Sequence, residues 1–284
     1  LRSQLEALTP TTHAMPPLHL HLCAYAMLDA GEHTDAAAAL RAAADAAWGG
    51  ASGGMTELLE TLKPGSGAAW AVPRLAPEKC TEEELSVDAR REWQLYQYLA
   101  AAWRALADAG QPRLALPFAE EALPRPALHA LAPRSLASAH LLCFTYALRL
   151  DELSRACATL RSLDEVARRA AEADVAVYEG RRSDCLASLV SSLDERRQLA
   201  ALASVDLGGG LLGRELDAAL KAHARASDVE LEGAGGTVYE VRYALRVKDA
   251  DWAAAAESMH ELAGRLENRL ARPRGGTEAA RAAR

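Results

Sequence analysis

The chain has 284 residues, of which 50% are apolar but only 5% aromatic, and this alanine- and leucine-rich mixture supplies a core and favours helix over strand. The net charge of −7, with acids and bases interspersed, argues against a nucleic-acid surface, which usually shows a basic stripe. The five scattered cysteines contain no C-x-x-C pair, which disfavours a secreted disulfide framework and fits a reducing compartment.

The start of the sequence, LRSQLEALTP, has neither an initiator methionine nor a signal-peptide pattern. We therefore expect the sequence to begin inside a longer protein. No stretch approaches the roughly 20 continuous apolar residues of a membrane span.

The first half of the chain predicts helices, because apolar residues recur there at spacings of three and four. Thr34 is the expected cap of the second helix and Gly49-Gly50 its end, while Thr81 and Glu84 form a capping box for a long helix. The predicted helices cover 18–29, 34–48, 55–62, 81–109, 112–123 and 135–150.

The second half continues the helical pattern in shorter segments. Predicted helices cover 152–161, 164–179, 183–193, the stretch LDERRQLAALASV that ends at Gly208–Gly210, and 212–227. No credible period-two strand occurs, so the predicted class is all-α. By region, the sequence predicts a helical hairpin at 1–48, a loop-rich linker at 49–80, a helical region at 81–271 and a basic, frayed tail at 272–284.

The last predicted elements, 239–270, form a helical hairpin. Tyr239, Tyr243 and Val247 share one face of the first helix, and Asp251 is the expected N-cap of the second. A long apolar stripe then runs from Trp252 to Leu270. Because the turn between the two helices is short, they must lie antiparallel.

Four such helix pairs share one plan. Each has an aromatic residue, a short polar turn and an alanine-rich second helix, and the four begin at Tyr25, Trp103, Tyr146 and Tyr243. Their separations are unequal, so the chain does not follow a fixed repeat. The sequence therefore predicts an irregular α-solenoid of stacked antiparallel helical hairpins.

No segment carries a complete metal-binding or phosphate-binding motif. His19, His21 and Cys23 offer zinc-ligand types, but residues two apart on a helix point in nearly opposite directions. The glycines at 208–210 and 233–236 lack the strand and the spacing of a phosphate-binding loop, and we expect them to be loops. The sequence therefore predicts no catalytic residue, no cofactor and no metal site.

Several segments of the second half together resemble a known family. They are a helix end at Leu193–Arg196, a short element at Leu199–Leu207, the A-R-A-x-D ending at Ala224–Asp228, the tyrosine-led helix 239–247 and the A-A-x-x-M-x-E-x-A-x-R-L pattern of 255–266. In this order they resemble the C-terminal helical region of the nucleoporin 160 family, well over 140–270 and more loosely over 85–125. The family's N-terminal β-propeller has no counterpart here, so the chain would be its helical portion.

The resemblance implies a structural scaffold subunit of the Y complex in the outer ring of the nuclear pore complex. It implies support of nucleocytoplasmic transport and mRNA export at the nuclear envelope, and contact with other helical Y-complex nucleoporins at the hub of the Y. It implies no catalyst or cofactor, no direct nucleic-acid binding, and contact with the membrane only through the assembled ring.

The residues expected to pack in such a scaffold are Tyr239, Tyr243, Trp252, Met259 and Leu266. Two interpretations of them stay open: core of this chain, or contact with a partner. Two other functions also stay open, namely another α-solenoid adaptor, of tetratricopeptide-like or vesicle-coat type, and a helical enzyme with an unrecognised pocket.

Overall fold

The computed structural model describes residues 15–49, 54–62, 71–72, 81, 84–123, 131–205, 210–226 and 234–271. Within these ranges the regular elements are helical and no strand occurs, so the all-α prediction is confirmed. The first six helices are α1 (Pro17–Asp29), α2 (His33–Gly49), α3 (Gly54–Thr61), α4 (Val87–Asp108), α5 (Pro112–Ala122) and α6 (Pro133–Arg149). The others are α7 (Leu153–Arg169), α8 (Glu172–Glu195), a 3₁₀ helix (Leu199–Ser204), α9 (Gly210–Ala226), α10 (Ala234–Lys248) and α11 (Trp252–Ala271).

The helices divide between two compact units. Unit 1 comprises the chain up to residue 151 together with 170–177, and unit 2 comprises 152–169 and the chain from 178 onward. Within unit 1, α1 packs on α2, α4 on α5 and α5 on α6. Within unit 2, α10 packs on α9, on the 3₁₀ helix and on α11. Each unit is therefore built by neighbouring helices that pack in chain order.

One type of turn recurs between successive helices. A residue with a left-handed backbone stands two positions before the next helix, with φ of 79° at Gly31, 74° at Gly110, 60° at Asp151, 57° at Arg197 and 58° at Ala250. At four of these turns the residue after the left-handed one donates its N–H to the carbonyl five residues earlier. Examples are the hydrogen bonds from Gln111 to Leu106 and from Asp251 to Arg246. The hairpins that looked alike in sequence therefore share one turn geometry.

Two predicted helix starts in the first half were misplaced. The helix expected from 81 begins at Val87, because the Ser86 side chain caps it by accepting from the N–H of Ala89 at 3.2 Å. Half of the predicted capping box does form, since the N–H of Thr81 donates to Glu84 at 2.8 Å, but residues 84–86 are not α-helical. Helix α2 begins at His33, one residue before the predicted cap Thr34.

The three helices predicted over 152–193 are two long ones, α7 and α8. Continuous buried stripes cross the predicted breaks, as Leu160 and Leu163 do in α7 and Tyr178 and Cys185 do in α8. The helix predicted over LDERRQLAALASV was also wrong. Its first residues end α8, Arg197 adopts the left-handed conformation, and a 3₁₀ helix alone follows.

The core of unit 1 is rich in aromatic side chains. Trp93, Tyr96 and Trp103 of α4 are almost completely buried. The rings of Trp93 and Tyr96 stack at 5.3 Å, and Tyr96 meets Trp103 edge-on at 6.1 Å. The facing helix α2 buries mainly alanines, such as Ala36 and Ala43, which allow the helices of this unit to approach closely.

Candidate functional site

A buried guanidinium joins three helices of unit 2. Arg182 of α8 is 1% exposed, and its Nε and Nη2 atoms donate to both carboxylate oxygens of Glu215 in α9 at 2.6 and 2.5 Å. Its Nη1 atom donates to Asp164 of α7 at 2.7 Å. The hydrogen bond to Glu215, with the nearby carboxylates, raises the pKa of Arg182 against the cost of burial. This group stays charged and ties helices together.

A second ionic cluster joins α9 and α10. Asp217 of α9 accepts hydrogen bonds from Arg242 at 3.1 Å and Arg246 at 2.7 Å, both on α10. Burial alone would raise the pKa of Asp217, but the bonds from Arg246 and Arg242 outweigh it and lower that pKa. Glu261 of α11 lies 3.5 Å from Arg242 and accepts from Arg225 at 3.0 Å. The carboxylates of this cluster are therefore held ionised.

The sequence carried a signal for these arginines that was missed. Arg182 stands on the buried stripe of α8, four residues after Tyr178 and three before Cys185. An arginine at a core position is rarely left without an acidic partner. The pattern could have shown that a buried ion pair exists, but Glu215 is too distant in sequence to have been named.

The five predicted packing residues separate into two groups. Tyr239 is completely buried, and its hydroxyl accepts from Arg265 at 3.1 Å. Tyr243, Trp252 and Met259 are 42%, 65% and 39% exposed, and Leu266 is half-buried. The structure thus brings one of the five into the chain's own core and leaves the other four at least partly accessible.

Six of the exposed or half-buried positions of α11 lie along a single line. We use the name α11 seam for the residues that alternate at spacings of four and three along the helix: Trp252, Ala256, Met259, Ala263, Leu266 and Leu270. Five of the six are exposed, with Leu270 at 66%. The buried residues of α11, Ala255 and Ser258, lie on the adjacent face. Helix α10 therefore covers only one side of the apolar arc of α11.

The candidate metal ligands have ordinary structural positions. His21 is buried, and its Nδ1 atom lies 3.1 Å from the hydroxyl of Tyr98. In the described ranges no three His, Cys, Asp or Glu side chains are grouped to hold a metal ion. Burial raises the pKa of the Cys157 thiol to about 11 and that of Cys185 to about 12, so both sulfurs are held as thiols.

The glycine runs differ in part from the loops that were predicted. Gly210 is the first residue of α9, and Gly235 and Gly236 lie in the first turn of α10. Gly208, Gly209 and Gly233 lie outside the described residues. Among the helices that the structure describes, none has the length and apolar character needed to cross a membrane.

The helical architecture agrees with a family match. The family model described as NUP160/120 middle TPR matches residues 2–282. The chain belongs to the NUP160/120 family. No curated protein matches the chain.

Membership of the family indicates the architecture and the role of the helical hairpins. The chain is an all-α solenoid segment of the NUP160/120 family and carries a nucleoporin scaffold role. The sequence resemblance pointed to this family and is confirmed. The resemblance was to the family's C-terminal helical region, whereas the description of the matched model names the middle one. The match also covers residues 2–80, where the sequence resembled the family in general character only.

Proposed function

We propose that this NUP160/120-family chain is a structural subunit of the Y complex in the outer ring of the nuclear pore complex. In that position it supports nucleocytoplasmic transport and mRNA export by maintaining the ring, and it catalyses no reaction. The observation that carries the proposal is the family match across residues 2–282. The partners would be other helical nucleoporins at the hub of the Y, with no direct contact to nucleic acid or to the membrane.

The physical basis of a scaffold role is helix packing that resists bending. In unit 2, charged hydrogen bonds tie neighbouring helices at Arg182 and Asp217. Such ties are directional, so they fix the register of adjacent helices as well as their separation. A subunit that transmits its shape to its neighbours needs this property.

We propose a packing role for the five predicted residues that differs between them. Tyr239 packs inside the chain, where it is completely buried. Tyr243, Trp252, Met259 and Leu266 would contact a neighbouring subunit, because an apolar helix face with a polar rim is the usual composition of a subunit interface.

The test is to tag the full-length protein at its own locus, image it, and identify cross-linked partners by mass spectrometry. We expect a nuclear-rim signal and recovery of other helical nucleoporins. A signal confined to vesicles, with coat proteins recovered instead, would favour the adaptor alternative and overturn the proposal. The substitution Ala222→Glu, on the exposed face of α9, should not change the localisation or the partners, and it serves as the control for tagging and expression.

A further inference from the structure

Helix α11 presents a partly charged face to the rest of unit 2. Of its 20 residues, Ala255 and Ser258 are the two that are buried. The neighbouring positions on that face include Glu261 and Arg265, which are half-buried. Helix α9, by comparison, buries a row of three leucines. Apolar burial therefore stabilises the docking of α11 less than that of α9.

The charged side chains of α11 bind the last turn of α9. Glu261 accepts a hydrogen bond from Nε of Arg225 at 3.0 Å, and Arg265 donates to the backbone carbonyl of Ala224. The carbonyls in the last turn of a helix have no partner within that helix, and a cation is favoured beside them. Ala224 and Arg225 are consecutive, and Glu261 and Arg265 lie one turn apart, so the two pairs meet at two points. We use the name α9–α11 clamp for these four residues.

Helix α10 adds two contacts to the clamp. Nη1 of Arg242, a side chain that is 5% exposed, lies 3.5 Å from Glu261. The hydroxyl of Tyr239 accepts a hydrogen bond from Arg265 at 3.1 Å. Burial alone would raise the pKa of Glu261, but the hydrogen bond from Arg225 and the charges of the nearby cations lower it. The carboxylate of the clamp is therefore ionised at neutral pH.

The clamp is accessible to water and salt. Arg225 is 61% exposed, and a further ion pair between the same helices, from Lys221 to Glu257 at 3.6 Å, also lies at the surface. Exposed ion pairs are individually weak and are screened by salt, whereas buried pairs are screened much less. We propose that α11 is a strap, which detaches from α9 and α10 and docks again while α7 to α10 stay folded, and that the clamp holds the strap in its docked position.

The remaining helices of unit 2 have ionic contacts of their own. Arg182 joins α7, α8 and α9 from a position that is 1% exposed. Asp217 joins α9 to α10 through hydrogen bonds from Arg242 and Arg246. None of these bonds includes a residue of α11, so they persist when the strap detaches. The inference concerns the chain itself and does not rest on the proposed function.

The first experiment measures the strap in the unmodified chain. Hydrogen exchange of the purified 284-residue protein is followed by mass spectrometry at about 50 mM and about 1 M NaCl. A detached helix of 20 residues is only marginally stable in water, so its amides exchange when the strap opens. We expect α11 to exchange faster than α8 at both salt concentrations, and at least about threefold faster at the higher concentration than at the lower one. Exchange in α8 should not rise with salt.

The second experiment removes the charge of the clamp. Glu261→Gln keeps the shape of the side chain but loses its charge, so it should raise exchange in α11 at least about fivefold at low salt and reduce the response to salt. Arg225→Gln should act in the same way, and the two substitutions together should have a less than additive effect. Glu267→Gln makes the same chemical change at an exposed position of α11 outside the clamp and should leave exchange unchanged.

Three results would overturn the inference. The first is exchange in α11 at the rate of α8, which would mean that α11 opens only when the whole unit unfolds. The second is exchange in α11 that does not respond to salt. The third is an effect of Glu261→Gln that equals that of Glu267→Gln, or that is as large in α8 as in α11. Loss of the nuclear-rim signal would bear on the proposed function and not on the strap, so the two proposals fail separately.

Discussion

The two units use the same hairpin turn, and each adds a different kind of contact to an apolar core. In unit 1 the buried groups are large rings, with Trp93, Tyr96 and Trp103 in contact along α4. In unit 2 the corresponding ties are charged, with Arg182 between Asp164 and Glu215. The comparison teaches that one helical plan tolerates either shape complementarity or paired charge as its source of specificity.

The turns differ in the same way. Unit 1 uses glycine at the left-handed position of two of its turns, Gly31 and Gly110, and aspartate at a third, Asp151. Unit 2 places Arg197 and Ala250 there, and neither side chain has the conformational freedom of glycine. The turn geometry is therefore imposed in unit 2 by the packing of the helices on either side, whereas at Gly31 and Gly110 of unit 1 the residue itself also favours it.

The largest expected effect is in the aromatic core. Trp103→Ala removes a side chain that is 1% exposed and should lower the free energy of unfolding of unit 1 by about 4 kcal/mol. Hydrogen exchange read by mass spectrometry should show lost protection in α4 and α5. Trp252→Ala is the control, because its side chain is 65% exposed and its removal should cost less than about 1 kcal/mol in the monomer. Equal losses from the two substitutions would contradict the aromatic-core account.

The next effect tests whether charge or shape holds unit 2. Arg182→Met leaves Glu215 without its cation and Asp164 with only the more exposed Arg168, and it should destabilise unit 2 by about 3 kcal/mol. Adding Asp164→Leu and Glu215→Met removes both carboxylates, and we expect most of the stability to return. Urea unfolding, monitored by hydrogen exchange in α7 to α9, measures the stability of the single and the triple variant. If the triple variant is no more stable than Arg182→Met, the network stabilises unit 2 by more than the neutralisation of its own charges.

Acid should distinguish the two units. The folded pKa of Asp217 lies below its usual value of about 3.9, so its ionised form adds stability above that pH, and the contribution is lost as pH falls through the folded pKa. Asp217→Asn should cost about 1–2 kcal/mol at pH 7 and progressively less below pH 4. Exchange protection of α9 and α10 between pH 7 and pH 3 measures this. Asp45→Asn, at an exposed position of unit 1, should leave that protection unaltered.

The smallest effect concerns the turns. Ala250→Gly relieves a left-handed alanine and should stabilise unit 2 by roughly 1 kcal/mol, whereas Gly110→Ala introduces the same strain and should destabilise unit 1 by a similar amount. No neighbouring atom lies within 4 Å of a Cβ placed at Gly110, so the cost is conformational and not steric crowding from outside the turn. Thermal unfolding of the two variants gives the comparison directly. Changes of the same sign would show that the backbone conformation is not the determining factor.

Much of the fold could be predicted because the pattern that indicates a helix involves residues close together in the sequence. The closing hairpin was expected at 239–270 with Asp251 as its cap, and the structure gives α10 and α11 with Asp251 accepting from the N–H of Ala254 at 3.1 Å. Boundaries failed where two local signals competed. Thr81 and Ser86 both suit a cap, and the choice between them depends on where the apolar face of α4 must meet its neighbours.

The candidate surface was less predictable. The sequence marked the apolar stripe of α11 but could not show that α10 covers only the face around Ala255 and Ser258. Tyr239 and Tyr243 share a helical face by spacing, yet one is completely buried and the other 42% exposed, and spacing alone does not distinguish them.

The sequence by itself determined that this protein is helical, that its helices are joined in antiparallel pairs and that it resembles the nucleoporin 160 family. These properties follow from spacing and residue type, which act between residues a few positions apart. Only the tertiary structure decided which charges meet, as Arg182 does with Glu215, and which apolar residues remain uncovered. Those outcomes depend on distances between residues that are far apart in the chain, and no local pattern encodes them.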